Sequence, residues 1–178
     1  MQVISLLSLI EAGEESEVRD YLSSFSCSLN SGVENFLKNQ SIENEKRGMT
    51  RTFIIIDEEN NNDIIGYFTL MNKQFEFAEG VSKSVRQKIA FNKHALSVST
   101  ILIAQLGRAD QYKGIIPGSE ILRLALENCK IVYRTIGMRI VCVEYEPIDK
   151  IEKFYLNNSF KFLQKNPNGL RLAFLRLS

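Results

Sequence analysis

The chain has 178 residues, 44% hydrophobic and 24% charged, enough to bury one substantial core and too few for two ordinary domains joined by a linker, so a single domain over residues 1–178 is expected. Its longest apolar run, residues 98–106, falls well short of the ~20 residues that cross a bilayer. Glu11, Glu14, Glu15 and Glu17 follow the apolar residues 3–10 with no cation before them, which argues against a secretory signal and points to the cytoplasm.

Three cysteines, Cys27, Cys129 and Cys142, are an odd number without zinc or redox spacing, and His94 is the single histidine. Buried thiols, a solvated loop histidine and no metal are therefore expected. The net charge of +1 hides an asymmetry. Residues 1–48 carry 4 basic and 8 acidic groups, residues 49–97 carry 6 of each, and residues 98–178 carry 12 and 7. A basic C-terminal part suits a polyphosphate or nucleic-acid ligand, against the plainer reading of scattered solubilising charge.

In chain order, residues 14–25 bring Val18, Tyr21, Leu22 and Phe25 to helical spacing. Ser31 is placed to cap a second helix carrying Val33, Phe36, Leu37 and Gln40, with Gly48 ending it. Residues 52–57 are rich in β-branched side chains, residues 58–63 consist of Glu, Asn and Asp, and residues 64–70 return as a strand, which predicts an antiparallel hairpin. Residues 83–93 hold Lys83, Arg86, Lys88 and Lys93 without an acidic residue and read as a short basic helix or a loop with a solvated face. Residues 95–106 lose alternation in Val98, Ile101, Leu102, Ile103 and Ala104, the pattern of a central strand buried on both faces. A long amphipathic helix over residues 119–136 follows, ended by Gly137. Residues 139–144 predict a strand, 149–157 a helix with Asp149 as cap, and 170–177 a final strand. The fold class is α+β.

The informative unit is strand, glycine-containing turn, helix. A helix N-terminus presents unpaired N–H groups and the positive end of its dipole, so a turn that lets a ligand approach makes an anion site. Lys113, Gly114 and Gly118 stand there. No Gly-Lys-Ser/Thr closes the turn and no acidic ribose ligand follows it, so it is neither a Walker A loop nor a dinucleotide fingerprint.

Lys113-Gly114-Ile115-Ile116-Pro117-Gly118 resembles the Gln/Arg-x-x-Gly-x-Gly/Ala signature of the GNAT superfamily of N-acetyltransferases, and the preceding strand, residues 101–108, fits its fourth strand. Phe154-Tyr155-Leu156-Asn157-Asn158-Ser159-Phe160 looks like that family's Phe-Tyr-x-x-x-Gly-Phe. In the N-terminal half, residues 45–53 and Gly66-Tyr67-Phe68-Thr69-Leu70 are similar to the toxin-type subgroup. The resemblance implies the GNAT acyl-CoA N-acyltransferase fold, with a mixed, mostly antiparallel sheet flanked by helices and splayed between two strands around acetyl-coenzyme A. It also implies acetyl transfer to the α-amine of aminoacyl-tRNA and a small antitoxin partner; a homodimer is the oligomer to test.

On that resemblance Leu106, Gly107 and Arg108 hold the pantetheine arm, Lys113, Gly114, Ile115, Ile116, Gly118 and Ser119 hold the pyrophosphate, and Tyr155 serves the departing sulfur as general acid. An aromatic pair such as Phe154-Tyr155 also reads as core. Aminolysis needs a neutral amine. A lysine with pKa about 10.4 is neutral roughly once in a thousand at pH 7.4, whereas an α-amine near 7.7 to 8.0 is neutral roughly a quarter of the time, which favours an α-amine acceptor. Glu144 acting through water is a further candidate base. Ile116 occupies the position of the family's first glycine, Pro117 lacks an N–H, and Ser159 replaces the later glycine. The alternative expectation is accordingly a degenerate GNAT-like domain acting as a non-catalytic binding module.

Overall fold

A computed structural model describes residues 1–178. Its strands are β1 (Gln2–Ser5), β2 (Arg51–Asp57), β3 (Asp63–Glu76), β4 (Ser97–Arg108), β5 (Ile140–Tyr145), β6 (Lys161–Lys165) and β7 (Arg171–Arg176), in the sheet order β1-β2-β3-β4-β5-β7-β6. The helices are α1 (Leu6–Ala12), α2 (Glu15–Ser23), α3 (Ser31–Asn39), α4 (Ser41–Lys46), α5 (Lys83–Ala90), α6 (Gly118–Ile136) and α7 (Asp149–Asn157). The mixed sheet is mostly antiparallel, as expected, with a parallel β4–β5 pair. The chain divides into two compact units, Met1–Met71 with Ala104–Glu127, and Asn72–Ile103 with Asn128–Ser178.

In the first unit the predicted hairpin forms, from Arg51 opposite Leu70 to Asp57 opposite Asp63, with a bulge between Ile55 and Ile56. Its turn puts Asn61 and Asn62 at φ 50° and 59°, a region asparagine tolerates better than most side chains. The apolar stretch near the N-terminus divides at Ser5 into β1, paired antiparallel with β2, and α1. Asn30 rather than Ser31 caps α3, its side chain accepting the Val33 N–H at 3.2 Å. The chain breaks at Gln40, so Gly48, at φ 68°, ends α4 and not the helix begun at residue 31.

Leu6, Leu22, Leu37, Ile54, Tyr67 and Phe68 are fully buried in this unit. The Tyr67 hydroxyl donates to the Val33 carbonyl at 2.6 Å, and its ring meets Phe25 edge-on at 5.3 Å. A Cβ on Gly107 would fall 2.6 Å from Val33 Cγ1 and 2.8 Å from Tyr67 Cε1. Glycine at that position is what lets α3 approach β4 so closely.

In the second unit β4 runs parallel to β5, with Ile101 opposite Val141 and Leu102 opposite Cys142. β7 pairs antiparallel with β5, and β6, which the sequence reading does not foresee, pairs antiparallel with β7. β4 lies two residues later than predicted. It is buried over Thr100, Ile101, Leu102 and Ile103, whereas Ser97 and Val98 before them and Ala104, Gln105 and Leu106 after them are half-buried and Ser99 is exposed, so burial on both faces holds only for this middle stretch. The basic segment forms α5, capped by Ser82, which accepts the Val85 N–H.

Helix α7 spans the predicted residues, but Ile148 stands at its N-cap and no side chain caps it. Asp149 and Glu152 lie instead in its first turn, where negative charge favours the positive end of the helix. All three cysteines are free and buried, and His94 is exposed in a turn. Burial pushes the Cys129 and Cys142 thiols up to about 12. No helix is long and apolar enough to cross a membrane.

Candidate active site

In the first unit β4 leads into a single 3-10 turn at Asp110–Tyr112 and then the segment before α6. Asp110 fixes the start of this connection. Its carboxylate accepts from the Ser28 N–H at 2.8 Å and from the Ser26 and Ser28 hydroxyls, and its own N–H donates to the Ser26 carbonyl. The Ser28 N–H, followed by the two hydroxyls and the Lys113 charge, holds the Asp110 carboxyl below its ordinary range. Tyr112 is buried and its hydroxyl donates to Asp57 at 2.9 Å, while burial and that carboxylate push the phenol up to about 12.

After Tyr112 the backbone turns at Gly114, φ 84°, the sole residue between 109 and 118 in the left-handed region. Ile116 therefore occupies ordinary backbone geometry, and the turn tolerates its β-branch because the conformation that needs glycine falls two residues earlier. The Ile115 and Ile116 N–H groups both donate to the Tyr112 carbonyl, at 3.1 and 3.0 Å. With the Lys113 N–H donating to the Asp110 carbonyl at 3.0 Å, three of the six residues predicted to hold pyrophosphate are engaged through their amides within the turn. Pro117 has no N–H, and its carbonyl takes the Glu120 N–H at 3.0 Å. The amides of Gly114, Gly118 and Ser119 are left free of main-chain partners, the latter two in the first turn of a 19-residue helix.

Arg108 contributes through a bond that sequence spacing does not reveal. Its Nη1 donates to the Ile116 carbonyl at 2.7 Å, tying the end of β4 to the far side of the turn. Lys113 is exposed, and Leu106 and Arg108 are half-buried. Glycines, a fixed cation and free amides at a helix start form a cradle suited to an anion.

In the second unit Tyr155 lies on α7, half-buried among aromatic rings, with Tyr145 at 5.2 Å, Phe154 at 5.1 Å and Phe160 at 5.6 Å between centroids. Burial, with a lesser contribution from Tyr145, pushes its phenol up to about 12. Tyr155 thus packs against aromatic neighbours, but no residue of α7 is buried, so the Phe154-Tyr155 pair is not part of the core. An ion pair between Arg171 of β7 and Glu152 fastens α7 to the sheet. Ser159, at the position of the expected glycine, carries φ 70°. The backbone keeps the glycine conformation without the glycine.

Glu144 has both oxygens engaged, Oε2 with Lys73 Nζ at 2.6 Å and Oε1 with Asn166 Nδ2 at 2.7 Å. Asn166 in turn accepts from Gln164, whose side chain also bonds the backbone of Glu76 and Ala78. A carboxylate held this way is better suited to positioning than to proton abstraction.

No protein-family model matches the chain. Among solved structures it is similar to a Tyr→Phe mutant of KacT, with a TM-score of 0.74 and 18% identity over 98% of this chain and 94% of that one. It is similar to AtaT complexed with acetyl-methionyl-tRNAfMet, with a TM-score of 0.71 and 21% identity over 87% and 86% of the two chains. A Tyr→Phe mutant of the AtaT toxin bound to the C-terminus of the antitoxin AtaR and acetyl-CoA matches with a TM-score of 0.64 and 17% identity over 87% and 84%. The chain shares the fold of these solved toxins. The strand, turn and long helix formed by β4, residues 109–117 and α6 are the part of that fold the sequence signature marks.

Proposed function

We propose that the chain is an acetyl-coenzyme A-dependent N-acetyltransferase whose acceptor is the α-amine of an aminoacyl-tRNA. The observation that carries this reading is the β4–α6 connection, where Gly114 makes the bend, Arg108 braces the Ile116 carbonyl, and the amides of Gly114, Gly118 and Ser119 remain unpaired. The neighbours described with acetyl-CoA or with acetylated methionyl-tRNA support it. Those three amides and Lys113 would hold the pyrophosphate, and the backbone of Leu106, Gly107 and Arg108 the pantetheine arm, while Ile115 and Ile116 would shape the turn.

The reaction follows from the groups available. The neutral amine attacks the thioester carbonyl carbon and the C–S bond breaks; the sulfur takes the Tyr155 hydroxyl proton and leaves as free thiol, and the proton lost by the amine returns through water to the tyrosinate. Tyr155 is the proton donor in this proposal. With its phenol pushed up to about 12 it stays protonated at every working pH and meets the developing sulfur charge with an O–H. Because an α-amine is already neutral in substantial part near pH 7.4, the mechanism requires no strong base, which accords with the engagement of both Glu144 oxygens.

Isothermal titration with acetyl-CoA tests the reading. Saturable binding supports it, and absence of binding would favour a degenerate GNAT-like module. Toxicity is tested by expression in a bacterial host, where growth arrest that disappears in Tyr155→Phe is expected and harmless expression of an active enzyme would contradict it. A small protein that binds the chain and silences it would be the corresponding antitoxin, and a homodimer is tested by light scattering.

A further inference from the structure

The two units differ sharply in charge. Asn72–Ile103 with Asn128–Ser178 holds 14 Lys and Arg against 6 Asp and Glu, whereas Met1–Met71 with Ala104–Glu127 holds 8 against 15. In the first of these sets no acidic residue occurs between residues 80 and 103 or after Glu152. Arg86 has its guanidinium engaged by the carbonyls of Val81, Ala95 and Ala78, so it organises the α5 region from within. Lys88 and Lys93 remain exposed.

Phe91 stands between those two lysines in sequence and lies outside the buried core. It is 58% exposed and adopts φ 55°, a conformation that suits glycine or asparagine and strains a bulky side chain. Two guanidinium groups gather on its ring, Arg176 at 5.1 Å and Arg139 at 5.7 Å from the centroid. Arg139 is fixed further by Tyr133, whose ring lies 5.2 Å away and whose hydroxyl accepts from Nη2 at 2.6 Å. Arg176 is exposed. The Phe91 carbonyl accepts from the Gln87 side chain, which ties the ring's backbone to α5.

An exposed aromatic face braced by guanidinium planes and flanked by lysines has the composition that receives nucleic acid, with bases stacking on ring and guanidinium and phosphates taken by the cations. We propose that Phe91, Arg139 and Arg176, with Lys88 and Lys93, form a docking face for the RNA of the acceptor. This rests on the tRNA-linked substrate proposed above. An acidic protein would use the same charges but gain little from a strained, exposed phenyl ring.

The test is fluorescence anisotropy of the full chain with deacylated tRNA, over a salt series, beside calorimetry with acetyl-CoA. Phe91→Asn is expected to weaken tRNA binding about tenfold, in line with loss of one stacked base, while melting temperature holds or rises because the backbone strain is relieved. The triple variant Lys88→Gln, Lys93→Gln, Arg176→Gln is expected to lower the slope of log affinity against log salt by about two. Both should bind acetyl-CoA as the parent does. Unchanged tRNA affinity in both variants would overturn the proposal, as would polyglutamate binding as tightly as tRNA. Loss of acetyl-CoA binding by the parent would instead defeat the acetyltransferase reading, and the tRNA titration would still decide the docking face.

Discussion

Arg108 Nη1 reaches the Ile116 carbonyl at 2.7 Å, so the last residue of β4 fixes the turn that opens α6 eight residues later. A charge-assisted hydrogen bond of this kind is worth about 1.5–3 kcal/mol. Arg108→Gln should therefore loosen the cradle, weaken acetyl-CoA binding about tenfold or more in calorimetry, and lower the melting temperature by a few degrees. Arg108→Lys keeps the charge without the planar fork and should fall between the two. Equal affinity in all three would remove Arg108 from the account.

Asp110 supports the same turn from its other side. Asp110→Ala removes the acceptor for the Ser28 N–H and for the Ser26 and Ser28 hydroxyls, so residues 26–28 should exchange amide hydrogen faster and acetyl-CoA should bind several-fold more weakly. Because the Asp110 carboxyl lies below its ordinary range in the folded chain, the stability it contributes is present at neutral pH. That contribution is lost as pH falls through the folded value. Acid titration of Asp110→Ala should accordingly be less steep than that of the parent.

How far these features were legible differs from one to the next. The hairpin, the long helix α6 and the span of α7 follow from local periodicity and turn chemistry, which a single chain displays in full. Strand β6 did not, because Lys161, Phe162 and Lys165 give it an exposed, weakly alternating face that only pairing with β7 turns into a strand. The positions of the turn residues could be read, but the Arg108–Ile116 bond and the seat of Asp110 against residues 26–28 could not. The latter joins residues 82 and 84 apart in sequence, a separation at which no residue spacing signals contact. The positive φ of the turn falls at Gly114, so Ile116 keeps ordinary backbone geometry, a placement that motif spacing alone does not reveal.

Glycine and near-glycine positions give stability predictions of opposite sign. Gly107→Ala drives a methyl group against Val33 and Tyr67 and should cost about 1–3 kcal/mol, measured by chemical denaturation. Ser159→Gly relieves a left-handed backbone and should stabilise by about 1 kcal/mol. A destabilised Ser159→Gly would mean that its side chain has a role the backbone does not explain.

The pH dependence of turnover distinguishes the acid from the amine. The rate should rise through the amine pKa near 7.7 to 8.0 and then stay level, because a Tyr155 phenol raised to about 12 remains protonated well into the alkaline range. A fall centred near pH 8 to 9 would identify a different proton donor. The same raised value means that the stability linked to Tyr155 is complete below the ordinary tyrosine pKa of about 10 and declines as pH climbs toward the folded one.

The most direct measurement follows labelled acetyl from acetyl-CoA to charged tRNA with the full chain and with Tyr155→Phe. Transfer to the aminoacyl α-amine is expected, with release of free thiol in equal amount and a loss of about a hundredfold or more in the variant while acetyl-CoA affinity is kept. Acetyl-CoA binding without any transfer, or transfer undiminished in Tyr155→Phe, would contradict the account.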